Sequence, residues 1–574
     1  MLYPRENEVR EIKDLSGIWE FKTDKDAAAI LMPVPSSYND ITQDASIRDH
    51  AGDAWYERSF FIPGSWKGRR VVIRAGSVTH HGVISINGQE AVRHKGGYLP
   101  FEADITGMVD FGGENRVTIT VNNVLDWTTL PPGEIRTFQD GKHPDGYRVQ
   151  EYFHDFYNYA GIHRPVILYT TPPVFIGDID IDTDIAGRSG IIRYNIKLSE
   201  DGAQRAVKVK LIDRGKEIGS NTGRQGEFTI ERAHFWEPGK SYLYCLRIET
   251  YNNGALEDIY SQPAGIRTVK VSGKQFLING KPFYFKGFGK HEDMDIAGKG
   301  LNNALNVKDI NLMKWIGANS FRTSHYPYSE EFMELADSEG FAVIDETPAV
   351  GLNLWDMGKK VFCEERVHED ALEHHLQVIR ELVGRDKNRP SVVMWSLANE
   401  ASTYEEGALP YFRKLAEETR KLDPARPITI AQSSHPGDCK VAGLFDVICV
   451  NRYYSWYEDP GRLELIEFQI ERELREWYDN FKQPVLMSEY GADSVPGLHH
   501  DPAVMFSEEY QCELLEHYHN VFDKLDFIIG EHVWNFADFA TKQGITRVDG
   551  NRKGVFTRQR QPKAAAHLLR KRWL

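Results

Sequence analysis

The sequence predicts a multidomain protein: a jelly-roll β-sandwich over residues 1–172, an immunoglobulin-like β-sandwich over 173–268, and a C-terminal (β/α)8 TIM barrel over 269–574. Three observations carry that prediction. A chain of 574 residues is too long for one hydrophobic core. Its first half is written in short apolar alternations broken by turn residues, the pattern of strands without helices. From Val269 the pattern changes: short apolar runs alternate with helical periodicity, as in parallel strands joined by crossover helices.

In the first domain Arg70–Arg74, Gly82–Ile86 and Arg116–Val121 read as strands, and Asn87-Gly88 after the second is a hairpin signal. The stretch Glu151–Arg164, EYFHDFYNYAGIHR, sets five aromatics beside His154, Asp155 and His163. It reads either as a satellite core at a domain junction or as a loop leaning into a neighbouring domain's pocket. In the second domain Val174–Ile181, Ile191–Leu198, Ala206–Asp213, Glu227–Ile230 and Tyr242–Thr250 repeat the strand pattern with Gly, Asp and Asn in the turns. That domain shows no titratable cluster and reads as structural.

The third domain offers eight strand-like runs: Phe283–Gly289, Ala318–Thr323, Phe341–Glu346, Val392–Leu397, Ile428–Ala431, Val447–Val450, Val485–Ser488 and Phe527–Val533. Val307–Ile316, Ser329–Glu339, Glu369–Val383 and Ala408–Lys421 carry apolar residues at helical spacing between them. In such a barrel the residues just past each strand converge on one mouth. Here they form a polar set: Lys290-His291, His325-Tyr326, Asp345-Glu346, Asn399-Glu400, Gln432-Ser433, Asn451 with Tyr453, Glu489-Tyr490, and Trp534-Asn535. The run SVVMWSLANE, Ser391–Glu400, puts a carboxylate at the end of a strand buried on both faces, which is costly unless the charge is exposed or used.

Glu400 and Glu489 close the fourth and seventh strands, which face each other across a small barrel. A lone Glu at a strand end is as often a salt bridge. A facing pair is what glycoside hydrolysis needs, one carboxyl protonated and the other ionised, because two nearby charges push their pKa values apart. Metal chemistry is poorly supported: His374-His375 and His499-His500 are adjacent pairs without the spacing of a zinc helix. There is also no phosphate-binding GxxxxGK[ST] motif. No cofactor is expected.

The net charge of −15 argues against nucleic acid or an anionic membrane as the partner. The 12 Trp, 26 Tyr and 29 Phe fit β-rich packing, with a minority left for sugar-stacking surfaces. Five scattered cysteines, no apolar segment near the N-terminus and no N-x-[ST] sequon predict a cytoplasmic protein without a secretory signal. No run is long enough to span a membrane.

From Leu15-Ser-Gly-Ile-Trp19 to Gln561-Pro-Lys563 the chain resembles glycoside hydrolase family 2, and within it the β-glucuronidases. Asp386-Lys-Asn-Arg-Pro390 leading to Trp395 and Asn399-Glu400 resembles the family's acid/base signature. Asn319-Ser-Phe-Arg-Thr-Ser-His-Tyr-Pro327 resembles its second. The resemblance implies that Glu400 is the acid/base and that Glu489, in Met487-Ser-Glu-Tyr-Gly491, is the nucleophile. It also implies retained configuration, carboxyls ~5–5.5 Å apart, and Asn399 on the sugar 2-hydroxyl.

Gly550-Asn551-Arg552-Lys553-Gly554 resembles the element that holds a uronate C6 carboxylate, where an ammonium and an amide give charge-assisted hydrogen bonds. By the same resemblance Asp155, His325, Asn451, Tyr453, Tyr457, Trp534, Arg547, Asn551 and Lys553 bind the sugar. The implied substrate is a small-molecule or oligosaccharide β-glucuronide, and the implied assembly a homo-oligomer, a tetramer by family analogy. The competing readings are β-galactosidase, β-galacturonidase or β-mannosidase on the same scaffold, and a non-catalytic carbohydrate-binding protein. After Thr347–Gly351 only about 18 residues, Leu352–Glu369, precede the next helix, shorter than in several gut-bacterial relatives. This predicts an open mouth with room for large aglycones.

Overall fold

The computed structural model describes residues 1–200, 204–355 and 358–574. The first region packs a six-stranded antiparallel sheet on a four-stranded one. The larger runs Ile30–Val34, Gly17–Lys22, Asp53–Phe61, Glu114–Asn122, His81–Ile86, Gln89–Lys95, and the smaller Ile12–Asp14, Val166–Thr171, Arg70–Ala75, Phe101–Asp104. Period-2 patterning sets the faces: along Glu114–Asn122, Asn115, Val117, Ile119 and Val121 point into the core between the sheets. Asn87-Gly88 does form the hairpin turn, both residues at positive φ (51° and 84°), as the tight type I′ turn requires.

The second region is a smaller sandwich. Three strands (Ile176–Ala186, Ser189–Leu198, Gln225–Ile230) face four (Lys216–Thr222, Ala206–Asp213, Tyr244–Asn252, Ala255–Ala264). Two of these are absent from the sequence reading. Lys216–Thr222 is an edge strand exposed along most of its length, so it lacks apolar alternation. Ala255–Ala264 follows Asn253-Gly254, a hairpin signal that the sequence did contain.

Residues 269–282 form a short three-stranded sheet whose Phe276 and Ile278 pack with Phe285, Val393, Met394 and Leu486 from inside the barrel and so plug its floor. The barrel itself is closed and parallel throughout. Its strands are β1 Phe285–Gly289, β2 Ser320–Arg322, β3 Ala342–Glu346, β4 Val392–Asn399, β5 Ile428–Gln432, β6 Ile448–Asn451, β7 Val485–Glu489 and β8 Ile528–Val533. All eight lie within the runs read from the sequence or a residue or two beyond them. Helices 303–316 and 330–339 begin on Asn302 and Ser329, whose side chains accept a first-turn N–H, and end on left-handed Gly317 and Gly340. Between β5 and β6 a single 3₁₀ turn, Ala442–Leu444, replaces the usual helix.

The aromatic stretch at 151–164 joins the first sandwich to the barrel mouth. Phe156 belongs to the barrel's core cluster, the Tyr157 N–H donates to Ala540 O at 2.8 Å, and Lys542 Nζ donates to Tyr152 O at 2.7 Å. Of its two readings, the loop that leans into the barrel is the one observed. Among the described residues no helix is long and apolar enough to cross a membrane.

Candidate active site

β4 is buried along its whole length. Just past it Glu400 turns into the left-handed region (φ 51°) and shows its side chain to the mouth. A non-glycine residue held there costs on the order of 1–3 kcal/mol and persists only where neighbours fix it. Here the Glu400 N–H is bound to Ala431 O at 2.9 Å and that of Asn399 to Ala349 O at 3.0 Å. Glu400 Oε1 accepts one hydrogen bond, from Asn451 Nδ2 at 3.0 Å. Burial and the nearby Glu489 charge push its carboxyl up to about 7, against the pull of the Asn451 bond.

Glu489, the last residue of β7, is held by donors on both oxygens. Arg322 Nη2 binds Oε1, and the Tyr453 hydroxyl donates to Oε2 at 2.6 Å. Both of its oxygens are thus engaged as hydrogen-bond acceptors. Arg322, ending β2, also donates through Nη1 to both Glu346 oxygens at 2.7 Å. Glu346 is fully buried and further bonded by His325 Nδ1 (3.0 Å) and Ser396 Oγ (2.7 Å). Burial alone would raise the Glu346 carboxyl, but Arg322 and His325 bring it below its ordinary value. His325 stacks on Trp534, ring centroids 4.9 Å apart. Asn399 accepts from Arg322 and Asn451 at its Oδ1, leaving its amide N–H groups for the cavity it lines.

At the far end of the cavity charges meet in pairs. Asp155 accepts from Arg547 Nε and from Asn551 Nδ2, each at 2.8 Å. Lys553, fully buried, forms an ion pair with Asp493 and donates to the Tyr457 hydroxyl at 3.0 Å. Tyr457 also accepts from Arg547 Nη2 at 2.9 Å. Between the two ends lies a cavity of about 690 Å³, the size of a small-ligand site.

Models of three domains match the chain: "Glycosyl hydrolases family 2, sugar binding domain" over residues 11–172, "Glycosyl hydrolases family 2" over 174–267, and "Glycosyl hydrolases family 2, TIM barrel domain" over 269–574. The chain belongs to glycosyl hydrolase family 2. It is 61% identical to a β-glucuronidase of Paenibacillus borealis, covering 100% of this chain and 98% of that one. A solved β-D-glucuronidase from Dictyoglomus thermophilum superposes with a TM-score of 0.98 at 56% identity, covering 100% of this chain and 98% of that one. A Ruminococcus gnavus β-glucuronidase solved with uronic isofagomine gives 0.95 at 38% identity, covering 100% and 99%.

Of the residues singled out from the sequence, the cavity wall gathers Asp155, His325, Asn399, Glu400, Asn451, Tyr453, Tyr457, Glu489, Trp534, Arg547 and Asn551. Lys553 is the exception: it stands behind the wall, with Tyr457 and Asn551 in front. Asn451 is at the wall, but its amide N–H groups are both engaged, on Asn399 Oδ1 and Glu400 Oε1, and its Oδ1 accepts from Ser488 Oγ at 2.7 Å.

The sequence reading missed Arg322, Glu346 as its partner, and Asp493. Arg322 stands inside the quoted 319–327 motif at the end of β2, so the strand-exit rule would have found it. Asp493 lies in an irregular segment four residues past Glu489 and carries no local signal. Of the loop 352–369 expected to leave an open mouth, residues 356–357 lie outside the described residues. Asn353, Leu354 and Trp355 line the cavity, with Trp355 57% exposed.

Proposed function

We propose that this family 2 hydrolase is a retaining exo-β-D-glucuronidase, releasing glucuronic acid and an alcohol or aglycone. The observation that carries the chemistry is the contrast between its two carboxyls: Glu400 pushed up to about 7, Glu489 held by two donors. Protonated Glu400 gives its proton to the glycosidic oxygen while Glu489 attacks the anomeric carbon. The covalent glycosyl-enzyme is then opened by water, with Glu400 now taking the proton. Asn399, through its unengaged amide, binds the 2-hydroxyl. Asp155, His325, Tyr453 and Trp534 enclose the ring.

The acid sugar is favoured by the far end, where Asn551, Arg547 and Lys553 bring an amide and two cations to one corner. The β-glucuronidase names of close relatives over full length support the same reading. A panel of aryl β-glycosides tests it, with wild type and Lys553→Ala. Wild type should cleave the glucuronide in preference to the galactoside, galacturonide and mannoside, and the variant should lose about 100-fold or more in kcat/KM on the glucuronide, the scale of a lost charge-assisted contact. An unchanged glucuronide rate would sink the carboxylate-clamp assignment.

We place the enzyme in the cytoplasm, consistent with five free cysteines. A homo-oligomer, a tetramer by family analogy, is proposed and is tested by light scattering.

A further inference from the structure

The ammonium assigned to the substrate's carboxylate is not free to choose its position. Lys553 Nζ has three N–H groups. One is on Asp493 Oδ2 and one on the Tyr457 hydroxyl, which leaves one N–H unengaged. The ammonium also lies 4.7 Å from the Tyr457 ring centroid and 4.9 Å from that of Trp456. Both partners of the ion pair are buried, Asp493 at 2% exposure and Lys553 at 0%. A buried ammonium needs a counter-charge, and Asp493 supplies it.

Asp493 is itself fixed. Its Oδ1 accepts the Arg552 N–H at 2.6 Å, and Arg547 Nη1 lies 4.0 Å from its Oδ2. The segment that carries it begins at Glu489 and is pinned along its length. Arg452 N–H bonds Glu489 O at 3.0 Å, Trp534 N–H bonds Tyr490 O at 2.9 Å, and Ser494 N–H bonds Arg552 O at 3.0 Å. Gln511 Nε2 ties Ala492 O (3.0 Å) to Lys553 O (3.1 Å). Gly491, at φ 154°, leaves no room for a side chain: an added Cβ would stand 2.4 Å from Trp534 O.

We propose that Asp493 is a positioning residue for uronate specificity: by holding Lys553 from the segment that bears Glu489, it fixes the clamp for the substrate's carboxylate in register with the nucleophile. The inference rests on the glucuronidase reading above. The five-residue span 489–493 then sets the distance between the point of attack and the point of recognition. A hexopyranoside lacking the carboxylate cannot use this register, so the device favours uronates without touching the sugar.

The test is a double-mutant cycle on an aryl β-glucuronide, with the corresponding aryl β-glucoside as reference. Asp493→Asn should lower glucuronide kcat/KM by roughly 30-fold, the loss of one hydrogen bond to a charged group, and lower the glucuronide-to-glucoside ratio with it. Asp493→Glu, which keeps the charge and shifts it by one methylene, should retain part of the rate and guards against a misfolded Asn variant. In a Lys553→Ala background both substitutions should change kcat/KM by less than about 3-fold, because Asp493 acts through Lys553. Equal losses in both backgrounds, or no loss from either variant alone, would overturn the proposal. If Lys553→Ala itself spares the glucuronide, the clamp reading has failed, a result distinct from the failure of Asp493.

Discussion

At the reacting end of the cavity stand three carboxylates: Glu346 and Glu489 share one guanidinium, Arg322, Glu400 is hydrogen-bonded by the Asn451 amide, and Arg452 is spent on Glu473. At the far end Asp155 and Asp493 face Arg547 and Lys553, one cation for each anion. The surplus of negative charge at the first end has a chemical use. Burial and Glu489 together leave Glu400 as the group that keeps a proton, which is what a general acid requires. The balance at the second end has a different use: it keeps buried ions compensated until a substrate brings its own charge. In the proposed mechanism unmatched charge serves the reaction and matched charge serves recognition.

The largest expected effect breaks the first end. Glu489→Gln removes both the proposed nucleophile and the charge that raises Glu400. Turnover should fall roughly 10⁴-fold or more, as when a nucleophile is deleted, while the sugar still binds. If the proton on Glu400 comes partly from charge repulsion, its carboxyl should titrate below the wild-type value of about 7 in this variant, readable by NMR of ¹³C-labelled glutamate. A wild-type protein that binds glucuronides without turning them over would instead be a sugar-binding protein, and the whole contrast between the two ends would collapse.

The next effect falls on stability. Arg322→Ala leaves buried Glu346 and Glu489 without their guanidinium, at a cost of ~3–5 kcal/mol typical of an uncompensated buried charge. Calorimetry should show the barrel's transition moving to lower temperature. A variant that melts with wild type would mean that the two carboxyls have taken up protons at little cost, and that Arg322 is not what holds the reacting end together.

Much of the fold was legible because the two periodicities are physical. Alternation writes the sandwich strands, and apolar runs followed by amphipathic helices write the barrel. What escaped in the second sandwich were Ala255–Ala264 and the edge strand Lys216–Thr222, the latter because it buries little and so needs no pattern. That Glu400 and Glu489 meet at the barrel mouth was legible because both close strands that face each other across the barrel. Arg322 was half visible, lying at a strand end but ranked behind the more familiar carboxylates. Asp493 was not visible, since its importance depends on Lys553, 60 residues away in sequence and joined to it only by the fold. Asn451 was visible as a residue of the mouth, but nothing in the sequence says that its amide faces Glu400 rather than a sugar.

That last contact yields the smallest and most precise expectation. The Asn451 Nδ2–H donates to Glu400 Oε1 and favours the charged carboxylate, so it opposes both burial and Glu489. The proposed mechanism needs Glu400 protonated at the first step. That requirement is met below about 7 and lost as pH rises through that value, giving kcat/KM an alkaline limb near 7. Asn451→Ala deletes the hydrogen bond that stabilises the ionised form, so the Glu400 carboxyl rises further and the limb moves to higher pH. One neutral hydrogen bond of about 1 kcal/mol corresponds to a displacement of roughly half to one pH unit. The rate also falls, because Asn451 steadies Asn399 through its Oδ1 at 3.0 Å, but the position of the limb is independent of that loss. A limb that stays at the wild-type pH would show that burial and Glu489 alone set the proton on Glu400. A limb that moves down would show that Asn451 donates elsewhere and that the carboxyl is held neutral by some other partner.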